Sequence, residues 1–584
     1  MDTPLNKIIE AARGLTPCDY LLQGGHVLNV FTRRFEDVSL ALYGGMIVGV
    51  GERPANKVVN MEGCYLVPGF IDGHVHLESS MLTPDRYAAA VLPRGTTGVM
   101  AEPHEYANVV GIKVFDYLQR CARELPLNIS ICVPPCVPAT NLEHSGAELT
   151  AQDIAACGNY ANVVGLAEMM NYPGLLGCVP EVLAKLEALG ENCHIDGHAP
   201  GLSGWDLQAY AAAGVSTDHE CTTLAEAEEK LALGMYIMMR EGSVAQDLEA
   251  LAPLVNDINL ERCLLVTDDR EPEDLYFKGH MDYLCQKAIR LGVKPAHAFI
   301  MASWNVAKCF NLPKVGALAP GYMADIAVLQ ADDTSFKHGF TVKSVFKNGR
   351  LVAEDGHMVA EVPSIPLESM AHNTINIAPF KTEDLQIKVE EPGTYEVHVI
   401  GVKEGSLISD HLRMSLKAEE GELKSDLEQD ILKVAVFERH KALGTRGLGF
   451  VHGLGIKGGA ISSTVAHDSH NLVVVGDNDR DMSLCVEETK RIGGGLVVVS
   501  GGKVVASVAL PICGLVADRT LEESAKSIQI LHREAHKLGA KLARPFMSLA
   551  FMTLPVIPHL KLSDVGLVDV DKFAFTRLVA GRIG

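Results

Sequence analysis

Pro68-Gly69-Phe70-Ile71-Asp72-Gly73-His74-Val75-His76-Leu77-Glu78-Ser79-Ser80 is the stretch on which the fold turns. An apolar run of strand character ends in a polar loop, and its last residues include histidines at i and i+2. On an extended chain that spacing puts both imidazoles on one face, where they can share one metal ion. An isolated H-x-H fits a pair of surface histidines equally well, so its meaning depends on the rest of the chain. Working outward, seven more strand-like runs come after it, alternating with amphipathic stretches at 111–125 and 180–193 and others like them. The eight runs are 66–76, 96–104, 128–135, 163–170, 192–200, 214–220, 235–243 and 263–270. Strand and helix in alternation predict βαβ units and a parallel sheet. Eight such units over 68–312 are the size of a (β/α)8 TIM-like barrel, whose site lies at the C-terminal strand ends.

The flanks have a different texture. Short alternating runs split by glycine turns occupy about 18–67 and return at about 316–362, so 1–67 and 313–372 read as one composite β-sandwich-like domain. Residues 373–584 read as a C-terminal α/β domain, with strands near 471–476 and 494–510 and a helix near 521–540, reached through a linker near 361–379.

Composition sets limits. The 584 residues carry 51 Lys plus Arg against 73 Asp plus Glu, a formal charge of −22. That balance argues against nucleic acid or an anionic membrane as the partner, while leaving a small nucleobase open. No apolar run approaches the ~18–20 residues that span a bilayer. The first residues show no basic and then apolar leader, and the scattered cysteines form no C-x-x-C pair. The expectation is a cytoplasmic protein with reduced thiols.

The strand ends supply ligand-type side chains in succession: Glu168, then His194 and His198, then His219, then Asp268 and Asp269. Singly each has an ordinary reading: a solvated strand end, a core histidine, a helix N-cap. Together, at corresponding ends of successive strands, they read as a metal centre. Spacing alone does not choose among Mn, Fe and Zn for imidazole and carboxylate donors. Arg240, Glu241 and Ser243 after the seventh run are candidate substrate contacts, or equally a helix start with Ser243 as its cap. Arg270 and Glu271 are weaker candidates. His104, at the end of the second run, is a candidate hydrogen-bond partner for the reacting groups. Gly493–Gly495 lack a following Lys-Ser/Thr and read as a turn. The cluster Ala466-His467-Asp468-Ser469-His470-Asn471 has the residue types of a metal or proton-transfer site, or of a solvated turn.

The H-x-H on the first strand, single histidines on the fifth and sixth, an Asp on the eighth and the split β domain with GALAPGYMADIAVL resemble the amidohydrolase superfamily. Within it, PGFIDGHVHLESSMLTP, Glu102-Pro103-His104-Glu105, GLAEMMNYPG, DGHAPGL, MMREGS, TDDR and AHDSHN resemble the adenine deaminase family over nearly the whole chain. Many binuclear members of the superfamily place a carbamylated Lys on the fourth strand, where this chain has Glu168. The resemblance implies two divalent ions, Mn²⁺ first, with Fe²⁺ or Zn²⁺ as alternatives. It implies His74, His76 and Asp268 on one ion, His198 and His219 on the other, and Glu168 bridging. His198 is preferred to His194 because it sits in the family's G-H-x-P-G.

The implied activity is hydrolytic deamination of adenine to hypoxanthine and ammonia, in purine salvage, by metal-activated water. Asp268, Glu168 and His104 would be catalytic, and Arg240, Glu241, Ser243, His467, Asp468 and His470 would contact substrate. A homo-oligomer is expected. Two other readings stand beside this one: another superfamily hydrolase opening a cyclic amide, and an inactive barrel serving as a scaffold. The H-x-E and P-C-x-x-C zinc pattern of cytidine-type deaminases is absent.

Overall fold

The computed structural model describes residues 3–583 apart from 191, 192 and 368. Asn192, which opens the expected fifth run, and the outermost residues of the expected terminal domains lie outside the described residues.

Eight parallel strands follow one another through the middle of the chain: β1 (Phe70–Val75), β2 (Thr96–Ala101), β3 (Asn128–Val133), β4 (Val163–Met169), β5 (His194–Gly197), β6 (Thr217–Asp218), β7 (Tyr236–Arg240) and β8 (Cys263–Val266). They form two arcs, β5-β4-β3-β2-β1 and β6-β7-β8. At one junction the Asp268 N–H donates to His74 O at 3.0 Å, and Val75 bridges Asp268 in parallel. At the other, Ser216 N–H donates to Ile195 O at 3.1 Å and Gly197 N–H to Thr217 Oγ1 at 3.0 Å. Gly197 is required there, since a Cβ would collide with the Thr217 carbonyl. One buried cluster draws Ile71, Met100, Cys132, Ala167, Met238 and Leu264 from six of the strands and packs them on Phe310. Strands such as β1 and β2 are buried throughout, as parallel strands sheathed by helices must be. The result is a TIM-like α/β arrangement with an additional C-terminal domain.

The run 66–76 is two strands. Cys64–Pro68 pairs with Ile326–Gln330 in the flanking sheet, and β1 begins only at Phe70. Pro68 has no N–H to continue a ladder, and Gly69 leaves no room for a Cβ against Thr97. The flanking strands from both sides of the middle segment join in a single nine-stranded sheet.

Beyond residue 372 an eleven-stranded sheet carries the helix Asp479–Arg491. The segment 361–379 is irregular yet anchored, with Ile365, Ala371 and Ile377 buried. A second long helix, Leu521–Lys537, starts at a Thr520–Glu523 capping box. Arg544 ties this region to the helix after β8, meeting Asp274 at 2.7 Å, Glu271 at 3.4 Å, and Glu273. A single buried cluster runs from Val75 through Leu496 to Phe551, so the C-terminal region and the strands share a core.

Candidate metal centre

His74 and His76 leave the end of β1 on the same side, and their Nε2 atoms lie 3.2 Å apart. Their Nδ1 atoms are engaged behind, His74 by Asp196 Oδ2 at 3.0 Å and His76 by the Glu102 carbonyl at 3.2 Å. Acceptors at Nδ1 place the ring protons there, so two Nε2 lone pairs face one point. Asp268 Oδ1 faces the same point, 3.1 Å from His76 Nε2 and 3.7 Å from His74 Nε2. Glu168, at the end of β4, brings Oε1 within 3.5 Å of His76 Nε2. Its Oε2 lies 2.6 Å from His198 Nδ1 and 3.3 Å from His219 Nε2.

Imidazole nitrogens and carboxylate oxygens converging on one point suit a cation. Donors ~2.0–2.2 Å from one ion stand roughly 3–3.5 Å from each other, close to the separations here. The residues fit divalent metal ions, with mixed imidazole and carboxylate donors.

The charge balance agrees. Glu102, Glu105, Glu168, Asp196, Glu220, Asp268, Asp269 and Asp468 are all buried. Among the described residues, Arg240 is the one Lys or Arg side chain paired with any of them. Burial pulls the His74 pKa down, but Glu102 and Asp196 overcome it and raise it to about 10. His198 is likewise lifted to about 9 against burial, by Glu220 and Glu168. Burial opposes ionisation of Glu168, yet His198 and His219 hold its carboxyl well below the usual range. This pocket of excess negative charge attracts cations, whether protons or metal.

Supporting groups fix the ligands. Glu168 N–H donates to Glu102 Oε2 at 2.9 Å. His198 N–H donates to Tyr210 Oη at 3.0 Å, and that hydroxyl donates to Met169 O. Asp268 holds a left-handed backbone (φ 57°) just past β8, a conformation Asp tolerates better than most residues. Arg240 Nη1 binds Asp268 Oδ2 at 3.0 Å and also grips Glu220 and Asp247. Oδ1 is thereby left for the centre. Burial opposes the Asp268 charge, and His76 and Arg240 hold its carboxyl well below the usual range.

A cavity of ≈ 260 Å³ opens beside these ligands, lined also by His104, His467, Asp468, Leu407, Phe551 and Leu554. His104 opens the helix after β2, with Nδ1 3.5 Å from Glu168 Oε1 and Nε2 3.6 Å from Asp468 Oδ1. The whole stretch 466–471 is buried. His467 stacks on Phe551 at 4.4 Å and points Nδ1 at Glu105 Oε1, 3.3 Å away. His470 sits behind it, its Nδ1 accepting from Ala466 N–H at 3.2 Å. His440 meets the Ser469 carbonyl at 2.7 Å, and Asn471 donates to His144 O at 2.8 Å. Arg439 grips the His470 carbonyl.

Other sequence candidates lie elsewhere. His194 packs on Phe310, with ring centroids 4.2 Å apart. Glu241 pairs with Lys287 at 2.5 Å. Ser243 Oγ accepts from Glu271 N–H at 2.9 Å, and Arg270 binds the carbonyls of Gly279 and Glu241. Arg240, Glu241 and Ser243 are not among the residues lining the cavity.

Sequence reasoning passed over Asp196, Glu102 and Glu220. A local signal existed for Asp196, since Asp196-Gly197-His198 repeats the form of Asp72-Gly73-His74. Leu407 and Phe551 carried none, because only the packing of distant segments brings them here.

Residues 65–352 match the amidohydrolase family, and residues 406–574 match the adenine deaminase C-terminal domain. An adenine deaminase of Dehalococcoides mccartyi is 46% identical over 574 residues, spanning 98% of this chain and 99% of its own. The chain belongs to the adenine deaminase family. Adenine deaminase 2 of Carboxydothermus hydrogenoformans, 46% identical over 573 residues, spans the same shares of the two chains. Among solved structures, a beta-aspartyl dipeptidase from Fervidobacterium islandicum AW-1 aligns with TM-score 0.45 and 15% identity, over 59% of this chain and 99% of that one. Among the described residues no helix is long and apolar enough to cross a membrane.

Proposed function

We propose that this chain hydrolyses adenine to hypoxanthine and ammonia, at a centre of two divalent ions on the C-terminal rim of a closed (β/α)8 barrel. The observation that carries the reading is the division of the two Glu168 oxygens between His76 on one side and His198 and His219 on the other. His74, His76 and Asp268 would hold one ion, His198 and His219 the second, with Glu168 between them. Mn²⁺ suits these donors, as do Fe²⁺ and Zn²⁺. The ions supply Lewis acidity, which makes water a competent nucleophile near neutral pH.

The chain's own groups move the protons. Asp268 Oδ1 takes a proton from the attacking water as the bond from oxygen to purine C6 forms. It returns that proton to the amino nitrogen as the C6–N bond breaks and ammonia leaves. Arg240 keeps Asp268 ionised and aimed. His104 faces the cavity and hydrogen-bonds the attacking oxygen. His467 and Asp468 contact the purine, and with Phe551 they exclude bulk water, which strengthens electrostatics inside. Glu241 and Ser243 brace the loops after β7 and β8 around the substrate. Fourteen cysteines without a disulfide suit a reducing compartment, and we place the reaction in cytoplasmic purine salvage.

The test is ammonia release by Mn²⁺-reconstituted protein from adenine, other purines and cyclic amides. Adenine should be preferred. Turnover of cyclic amides without adenine would move the chain to that other chemistry, and no turnover with both ions bound would leave a scaffold.

A further inference from the structure

Lys561 lies on a short strand, Leu560–Leu562, and is 1% exposed. Its Nζ donates to two backbone carbonyls, Leu407 O at 3.0 Å and Phe551 O at 3.1 Å. Among the described residues it is paired with no carboxylate. Such burial is costly for an ammonium. It pushes the Lys561 pKa down to about 7, with Glu220 at a distance opposing. A methionine of similar shape would serve packing at least as well, so packing alone gives no reason for this lysine.

Its two acceptors give one. Leu407 follows the strand Thr394–Gly401 and Phe551 follows the helix Pro545–Ala550. Both residues line the cavity beside the candidate ligands and also a small adjoining space. Val244, Ala245, Met547, Asp268 and Asp269 also line that second space. Apolar residues beside two carboxylates are the chemistry that the faces and polar edge of a flat heteroaromatic ring would meet.

We propose that Lys561 is a positioning residue that ties together the two roof segments of a purine subsite formed by Leu407, Met547, Phe551, Val244 and Ala245. The subsite rests on the adenine reading; the tie itself does not. Removing the ammonium orphans two carbonyls and releases segments that no other single side chain among the described residues is shown to bridge in this way. Leaving a buried hydrogen-bond partner unsatisfied changes an equilibrium by about tenfold.

The experiment compares metal-loaded full-length wild type, Lys561→Met and Lys561→Gln, in which the amide N–H₂ keeps a donor. In Lys561→Met, hydrogen exchange in 403–409 and 548–553 should quicken by about tenfold. KM for adenine should rise by a similar factor, with kcat and metal content held and the thermal midpoint not lowered, since the cost of burying the ammonium goes with it. Lys561→Gln should recover part of both effects. Unchanged exchange would overturn the tie, as would a midpoint that falls in step with the kinetics. Should Lys561→Met fail to fold, the Lys561→Gln and wild-type exchange rates decide alone. Wild type inert toward adenine would fail the functional reading while leaving the exchange comparison decisive for the tie.

Discussion

Glu168 Oε2 lies 2.6 Å from His198 Nδ1, so a carboxylate on the fourth strand and an imidazole at the end of the fifth meet within hydrogen-bond reach. The other oxygen of the same carboxylate faces His76, 3.5 Å away. One side chain thus faces His76 with one oxygen and His198 and His219 with the other.

Glu168→Gln keeps the shape and removes the charge proposed to hold two cations together. Bound metal should fall and turnover should collapse, as read by elemental analysis beside an ammonia assay. A variant with two ions per chain and near-normal turnover would remove Glu168 from the bridge.

Asp268→Asn tests the proposed proton carrier. The amide can still accept from Arg240 but cannot take a proton, so kcat should fall by roughly 10²–10⁴. Loss of metal would mimic this, and metal content must be measured on the same preparation. Full metal with full rate would shift the role to Asp269 or His104.

How much of the molecule is legible in its sequence depends on the range of the interaction. His74, His76, Glu168, His198, His219 and Asp268 are readable because each ends a strand, and strand ends in a βα series fall on one side. The preference for His198 over His194 also follows from strand geometry, since His194 opens β5 and packs on Phe310. The break at Gly69 is hidden by an apolar run that serves two sheets in succession. Lys561 is invisible, because a lysine between leucines reads as an exposed strand position until residues 407 and 551 close over it. For 466–471, a polar loop and a buried one look alike in sequence. Only its grip by Arg439, His440 and Asn471 tells them apart.

That grip separates the two histidines of the loop. His467→Ala removes a ring that lines the cavity and faces Glu105. It should lower kcat/KM sharply with metal content preserved. His470→Ala removes a ring that lines no part of that cavity and accepts from Ala466 N–H. Losing such a buried bond costs about 1–3 kcal/mol, so its thermal midpoint should fall more than its kinetics. Equal kinetic losses with equal midpoints would show that the loop acts as one unit. Unchanged kinetics in the double variant would show that it does not act on the reaction.

Lys561 also gives a pH dependence of stability with a definite sign. Its pKa is lowered by burial to about 7 in the folded chain, against ~10.4 for an exposed lysine. Between those values the unfolded chain holds a proton that the folded chain has released. Stability therefore rises with pH across that window, and the gain is lost as pH falls through 7. Lys561→Met lacks the group, while every other titration is common to both proteins and cancels in the difference. The stability of wild type should thus gain on that of the methionine variant between about pH 6.5 and pH 9, by about 2–3 kcal/mol at roughly 1.36 kcal/mol per pH unit above the folded pKa. Denaturant unfolding of both proteins at the two pH values measures it. A gap that stays constant would mean that Lys561 keeps its proton throughout and that the two carbonyls alone sustain a buried charge.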